Sequence, residues 1–190
     1  MFTEFSRGKE KLTRSYVCPQ ENSMTMSMTR RIAVASLAAV SLLAAGAVGA
    51  DTEKPILTVS GKIAAGPEGS VQFDRAALEK LGMVAVETKT PWHNGTVKFE
   101  GVPLDKLMKQ VGANGEKVMA VALNDYATEI PIDDFAKYNV ILALKRDGEY
   151  MPVRDKGPLF VIYPYDSDPE LKSQKFYSRS VWQVARLIVK

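Results

Sequence analysis

The chain has 190 residues, of which 46% are hydrophobic and 25% are charged, and its formal net charge is +3. This composition is typical of one globular domain and excludes collagen-like, low-complexity and fully disordered chains. Residues 51–190 carry 19 basic and 19 acidic side chains, so the positive excess lies before them. A neutral body argues against a nucleic-acid partner, because nucleic-acid grooves gain affinity from counterion release at basic surfaces.

The N-terminal region has the pattern of an export signal. Arg30 and Arg31 precede an Ala-, Leu- and Val-rich run over 32–48, which ends in small residues before a polar segment. A charged region, an apolar region and a small-residue cleavage site follow one another in a secretory signal peptide. The pattern predicts cleavage after Ala50 and a periplasmic mature protein.

Three segments follow from this interpretation. Residues 1–27 are predicted to be a disordered, over-extended start, 28–50 the signal peptide, and 51–190 a single domain. Two alternatives remain for the apolar run: an uncleaved anchor, since it is nearly long enough to span a bilayer, and a twin-arginine signal. Its small residues make a weak anchor, and the residues after the two arginines match twin-arginine signals poorly, so the general secretory route is favoured.

Cleavage after Ala50 removes Cys18, the one cysteine in the sequence, and leaves His93 as the one histidine. The mature chain then has no disulfide, no thiolate nucleophile and no thiolate metal ligand. A metal site built from histidines needs more than one imidazole. We therefore expect no metal site, and we assign no catalytic residue.

Short strands dominate the predicted secondary structure of residues 51–190. Ten segments alternate in polarity or form short apolar runs bounded by turn residues, and seven or eight of them are expected to form strands. In chain order these segments are 57–60, 71–73, 84–88, 96–100, 118–123, 126–131, 140–144, 150–151, 159–163 and 181–189.

Two helices interrupt the strands. Asp74 is the predicted N-cap of a helix over 75–81 that stops at the following glycine, and Pro103 opens a second helix. The apolar face of the second helix, at spacings i, i+3, i+4 and i+7, consists of Leu104, Leu107, Met108 and Val111. A single helical turn capped by Asp133 or Asp134 is also expected. This succession predicts an α+β fold with a mixed or antiparallel sheet rather than a doubly wound fold.

No standard catalytic motif is present in the sequence. It lacks a glycine-rich phosphate loop, a zinc-binding helix of the His-Glu type and a Gly-x-Ser-x-Gly nucleophile elbow. Polar and aromatic residues instead gather at the ends of predicted strands. The four segments are 88–95, 124–126, 154–158 and 176–183, and they are the candidates for a ligand site.

Four longer segments carry a resemblance to a known family. They are FEGVPLDKLM (99–108), VALNDYATEIP (121–131), LALKRDGEYMPVRDKGPLFVIYP (142–164) and YSRSVWQVARLIV (177–189). In this order they resemble the molybdopterin-binding domain of the sulfite-oxidase-like oxidoreductases. The resemblance covers nearly all of residues 51–190 and implies a compact, β-rich, mixed α+β pterin-binding fold with a few short helices.

One departure from that family concerns the metal. Its catalytic members bind molybdenum through a cysteine upstream of the Gly-x-Pro-Leu helix, where this chain has Thr88, Lys89 and Thr90. A threonine hydroxyl is a hard, neutral oxygen and does not replace a soft thiolate. Sulfite-oxidase catalysis is therefore not expected.

The chain more closely resembles a small, exported, cysteine-less branch of the family. This resemblance implies a metal-free reduced pterin as the cofactor, with molybdopterin the less favoured ligand. It also implies a partner, the periplasmic domain of a membrane-bound signalling enzyme of the cyclic-di-GMP type, which responds to pterin occupancy. Two other functions remain open: a molybdopterin oxidoreductase without the usual cysteine, and an envelope protein that binds a partner through an empty pocket.

The chemistry of a pterin and the resemblance together give the candidate binding residues. Its flat bicycle needs an aromatic face, a carboxylate or carbonyl opposite its N–H donors, and a cation or amide opposite its oxygen. The twelve candidates are Thr88, Thr90, Trp92, Asn124, Asp125, Tyr126, Arg154, Lys156, Tyr177, Ser178, Arg179 and Trp182.

Several candidates have a structural alternative. Asp125 suits a solvated turn, and Trp182 suits the core. Arg154 and Lys156 suit a solvated hairpin, the phosphate of a larger pterin or the acidic groups of a partner. His93 is treated as peripheral to the site, although its unperturbed pKa of about 6.5 would allow it to sense pH.

Overall fold

The computed structural model describes residues 54–66 and 69–190. The predictions for residues 1–27, the signal peptide over 28–50 and Cys18 lie outside this part of the chain. Within the described residues, no helix combines the length and apolar character needed to cross a membrane.

The described residues form ten strands, four α-helices and two short 3₁₀ turns. The strands are β1 Leu57–Gly61, β2 Ser70–Phe73, β3 Val84–Lys89, β4 Thr96–Pro103, β5 Lys117–Ala122, β6 Ala127–Pro131, β7 Ile141–Arg146, β8 Glu149–Tyr150, β9 Phe160–Ile162 and β10 Val184–Val189. The α-helices are α1 Arg75–Lys80, α2 Leu104–Gln110, α3 Asp133–Lys137 and α4 Gln174–Arg179, and the 3₁₀ turns are Val153–Asp155 and Pro169–Leu171.

The strands form two sheets. The first has the order β2-β1-β10-β5-β6, and the second has the order β3-β4-β7-β8, with β9 also paired to β7. Strands β1 and β10 pair in parallel, and the other ladders of the described residues are antiparallel. The predicted α+β fold with mixed sheets is confirmed. An isolated bridge between Phe160 and Trp182 connects β9 to the segment before β10.

The first two helices confirm their sequence predictions. The Asp74 carboxylate caps α1 by accepting a hydrogen bond from the Ala77 N–H at 2.7 Å. Gly82, at φ +90°, ends that helix in a backbone conformation that side chains rarely tolerate. The four apolar residues predicted for the second helix are buried, at 3% exposure or less, and the last of them, Val111, is the C-cap residue of α2.

The third helix begins differently from the prediction. Neither Asp133 nor Asp134 caps α3, because both lie in its first turn and Ile132 is the N-cap residue without a side-chain hydrogen bond. The Asp134 side chain instead points to a partner far away in sequence. Its carboxylate accepts hydrogen bonds from Arg179 and Tyr163.

The fourth helix was not predicted. The sequence suggested a strand from 181, but α4 covers Gln174–Arg179 and β10 begins only at Val184. A helix of six residues is too short to show a helical period. Phe176 is its one buried residue among those described.

Two hydrophobic clusters make up the core. The larger is continuous from β1 and β10 to helices α2 and α3, and the smaller lies on the second sheet around Phe99, Phe160 and Ile162. Trp92, in the loop after β3, packs against both clusters. This loop therefore lies where the two sheets meet, next to the isolated bridge at Trp182.

Candidate functional site

A cavity of about 410 Å³ opens where three irregular segments meet: the loop after β3, the β5–β6 turn, and the stretch from α4 to β10. Its lining residues are Pro91, Trp92, Ala122, Asn124, Tyr126, Gln174, Tyr177, Ser178, Ser180, Val181 and Trp182. The volume falls within the range of small-molecule sites, which are typically apolar with a few polar groups.

Aromatic rings form one wall of the cavity. Trp92 lies edge-to-face with Trp182 at a centroid distance of 5.8 Å and with Tyr177 at 6.0 Å. Its other neighbours are Phe160 at 5.5 Å and Tyr165 at 6.2 Å. Trp92 is thus fixed by four rings, whereas Trp182 remains 39% exposed. The wall presents a rigid aromatic edge and a solvent-accessible indole to a ligand.

Neutral polar groups complete the lining. The Tyr126 hydroxyl donates a 3.4 Å hydrogen bond to the Ser178 carbonyl, which connects the β5–β6 turn to α4. The Asn124 Oδ1 accepts from the Tyr126 N–H, and its amide nitrogen has no partner among the described residues. The Ser180 hydroxyl is occupied, because it bonds both the Tyr165 hydroxyl and the Phe176 carbonyl. Of the described residues that line the cavity, none carries a formal charge.

Half of the predicted site residues meet at this cavity: Trp92, Asn124, Tyr126, Tyr177, Ser178 and Trp182. The twelve candidates did not include Pro91, Ala122, Gln174, Ser180 and Val181, although the candidate segments 88–95 and 176–183 contain three of these five residues. Pro91 and Val181 adjoin predicted tryptophans, so proximity in sequence was the available clue. Gln174 is the first residue of α4, and its place depends on a helix that the sequence did not reveal.

The two predicted threonines do not line the cavity. Thr88 is fully buried, and its Oγ1 accepts a hydrogen bond from the Asp166 N–H at 3.1 Å. Thr90 is also buried, and its Oγ1 lies 2.8 Å from Nδ1 of His93. The Thr88 hydroxyl joins the end of β3 to the backbone at Asp166, and the Thr90 hydroxyl contacts His93 within the loop after β3.

The predicted carboxylate, Asp125, and the predicted guanidinium, Arg179, do not line the cavity either. Asp125 occupies the left-handed region of the β5–β6 turn, at φ +62°, and pairs with Arg186 at 3.1 Å on the surface. The turn interpretation of Asp125 therefore describes its position. Arg179 donates to the Asp134 carboxylate at 2.6 Å, so its guanidinium is committed to a buried ion pair.

The remaining two cations lie outside the cavity as well. Arg154 is exposed on the Val153–Asp155 turn. Lys156, at φ +66°, has its Nζ 3.8 Å from Asp155 Oδ1. Their positions fit a solvated hairpin, and neither residue lines the cavity.

His93 takes part in a polar chain beneath the Trp92 loop. Nη1 of Arg146 lies 3.2 Å from Nε2 of His93, and Nη2 of Arg146 donates to Asp155 at 2.7 Å. Arginine can only donate, so Nε2 accepts and the ring proton lies on Nδ1, toward Thr90. Burial first, and then the charges of Lys156 and Arg146, lower the pKa of His93, while Asp155 and Asp147 oppose the shift.

The lowered pKa of His93 predicts a pH dependence of stability. The unfolded chain takes up a proton near the ordinary value of 6.5 and the folded protein only at lower pH, so stability falls as the pH drops below that value. Thermal unfolding at about pH 7.5 and about pH 5.5 should show a smaller decrease for His93→Gln than for the parent chain. The depressed pKa of Asp155 acts in a lower range, because Arg146 stabilises its ionised form. Equal decreases in both proteins would contradict the assignment to His93.

The donor groups at the cavity do not suit a molybdenum centre or a phosphate. The described residues contain no cluster of three or more His, Cys, Asp or Glu side chains that could hold a metal. The groups that line the cavity are hydroxyls, an asparagine and a glutamine amide, and aromatic rings. Molybdenum is bound through a thiolate in the catalytic members of the resembled family, and a phosphate is bound by cations or by the N-termini of longer helices. The lining suits a neutral, flat heterocycle instead.

Comparison with protein families identifies the domain to which part of the chain belongs. Residues 72–166 match the family described as oxidoreductase molybdopterin binding domain. No curated protein gives a significant match to the chain. The matched segment contains the Trp92 loop and the β5–β6 turn, whereas α4 and Trp182 follow it in sequence.

Proposed function

Because the chain belongs to the family of oxidoreductase molybdopterin-binding domains, we propose that its cavity binds a pterin that carries no metal. The protein then acts as a binding module rather than as an enzyme. It relays pterin occupancy from the periplasm to a membrane-bound signalling enzyme of the cyclic-di-GMP type.

The observation that carries this proposal is the lining of the cavity. A pterin has an aromatic face and an edge of alternating donors and acceptors. Trp92 and Trp182 offer ring surface, and Asn124, Gln174 and the Tyr126 hydroxyl offer neutral hydrogen-bonding groups. Amide side chains are well suited to such an edge, because each provides both a donor and an acceptor.

The absence of charged side chains from the described lining of the cavity favours a ligand without a charged group. A pyranopterin phosphate would place an anion in a cavity whose described lining holds no cation. Burying an unpaired charge is costly, so a pterin without a phosphate is favoured. The sequence pattern over 28–50 supports export, and the role of the membrane partner rests on the resemblance to the exported, cysteine-less branch.

An enzymatic function is the second candidate, because the family is one of oxidoreductases. In that function molybdopterin would be held through its pyranopterin alone. Thr88 and Thr90, in the segment that carries the cysteine in catalytic relatives, bond to Asp166 and His93 and do not line the cavity. This arrangement favours the binding module.

Purification of the exported protein, after expression of the full chain in a pterin-producing host, separates these functions. The protein is prepared anaerobically and analysed by mass spectrometry and for metals. A stoichiometric pterin without metal is the expected result. Molybdenum at stoichiometric amounts would establish the oxidoreductase, and a protein that neither retains a pterin nor binds added tetrahydropterin would overturn the pterin proposal.

A further inference from the structure

A groove of about 510 Å³ lies beside the cavity, between the start of β1, the β5–β6 turn and the Val153–Asp155 turn. Two large apolar side chains are exposed there, Leu123 at 52% and Val153 at 50%. Ile56 and Pro158 continue the apolar lining. Large apolar residues that gather in one exposed groove mark interaction surfaces more often than isolated ones do.

The groove and the cavity share a wall. In the β5–β6 turn, Asn124 and Tyr126 line the cavity, whereas Leu123 and Asp125 line the groove. Ala122 lines both. A molecule in either site therefore contacts the same four-residue turn from opposite sides.

Gln183 makes a second connection between the two sites. Its carbonyl accepts from the Leu123 N–H at 2.9 Å, and its Nε2 donates to the Val153 carbonyl at 2.6 Å. Its own N–H donates to the Lys156 carbonyl at 3.0 Å. The residue before it is Trp182, which lines the cavity. Gln183, the residue next to Trp182, is therefore connected to the backbone of both exposed apolar residues of the groove.

The charges around the groove indicate what it binds. Asp125 and Arg186 neutralise each other at 3.1 Å. Lys54, which lines the groove, and Arg154, which follows Val153, are exposed cations without an ion pair among the described residues. The unbalanced charge is positive. An occupant with apolar side chains and carboxylates complements both properties of this surface.

We propose that this groove binds an acidic, apolar segment of a partner protein, and that occupancy of the cavity changes its affinity for that segment. Binding of the segment is supported by the groove alone. The second half rests on the proposed pterin function and assigns the turn from Leu123 to Tyr126 and the Trp182–Gln183 pair as the connection.

Labelled peptides of about nine residues test the groove. Three sets place Leu, Ile or Phe at alternate positions, with Glu, Ser or Lys between them, and fluorescence anisotropy measures their binding to the exported protein. The Glu set should bind about tenfold tighter than the Lys set, and Leu123→Asp should weaken it about tenfold. Val84→Asp is the matched control, because Val84 is an exposed valine on the edge strand β3 and lies in neither site. Unfolding curves verify that both variants fold.

Each contrary outcome is distinct. Equal binding of the three sets, no binding, or equal effects of the two substitutions would overturn the groove. Binding that appears only after removal of the residues before Lys54 would assign the groove to the chain's own N-terminal segment instead. A tetrahydropterin should change the affinity for the Glu set severalfold. If the tetrahydropterin binds without changing it, the connection is wrong, and if it does not bind at all, the proposed pterin function fails while the groove stands.

Discussion

Replacement of Trp182 by alanine is expected to weaken tetrahydropterin binding about tenfold while the protein remains folded. The indole lines the cavity and is 39% exposed, so its ring is accessible to a ligand and contributes less to the core than Trp92 does. Stacking on an aromatic side chain contributes roughly 1–3 kcal/mol per heterocycle. A tenfold loss of affinity corresponds to about 1.4 kcal/mol, at the lower end of that range.

Tyr150 provides the matched control for this substitution. It is an aromatic residue with 41% exposure, located on β8 and absent from the cavity lining. Isothermal titration calorimetry of both alanine variants with a tetrahydropterin compares them directly. Tyr150→Ala should retain the parent affinity, and an unchanged affinity of Trp182→Ala would exclude the indole from the site.

Substitution of Asp134 by alanine is expected to lower the free energy of unfolding by about 3 kcal/mol, because it leaves a largely buried guanidinium without its partner. The side chains of Arg179 and Asp134 are 18% and 12% exposed, and their nearest atoms lie 2.6 Å apart. The Tyr163 hydroxyl donates to the same carboxylate at 2.9 Å and would lose its acceptor too. Burial and the negative charge of Asp134 raise the pKa of Tyr163, so this hydroxyl stays protonated as a donor.

Asp133 is the natural control, since it lies in the same turn of α3 and is exposed. Urea unfolding of Asp133→Ala should differ little from the parent chain. The double substitution Asp134→Leu with Arg179→Met removes both charges and should recover much of the lost stability. If the stable double variant loses tetrahydropterin affinity, Arg179 participates in binding and not only in holding α4 against α3.

Local patterns allowed much of the fold to be predicted. The four apolar residues of α2 repeat at helical spacing over two turns, and Asp74 caps α1 with a contact three residues away. Such features depend on neighbours in sequence. Helix α4 has six residues, and its only described buried residue, Phe176, gives no period to detect.

The candidate site likewise contains residues that local sequence could predict and residues whose positions depend on the tertiary fold. Trp92 could be predicted as a cavity residue because an indole is unusual in a polar loop, whereas Trp182, which also lines the cavity, had a place in the core as its alternative. The destinations of Asp125 and Arg179 could not, because their ion-pair partners lie 61 and 45 residues away in the chain. The tertiary fold brings opposite charges together. Local spacing in the sequence therefore does not show whether a charged side chain pairs with a ligand or with another side chain.

The neutral lining of the cavity has a consequence for the conditions under which a ligand is recognised. Added salt screens interactions between charges, with a Debye length of about 10 Å at 0.1 M, but it has little effect on ring stacking and on hydrogen bonds between neutral groups. Since the described lining of the cavity carries no formal charge, its affinity for an uncharged ligand is expected to stay nearly constant when the ionic strength of the surroundings changes.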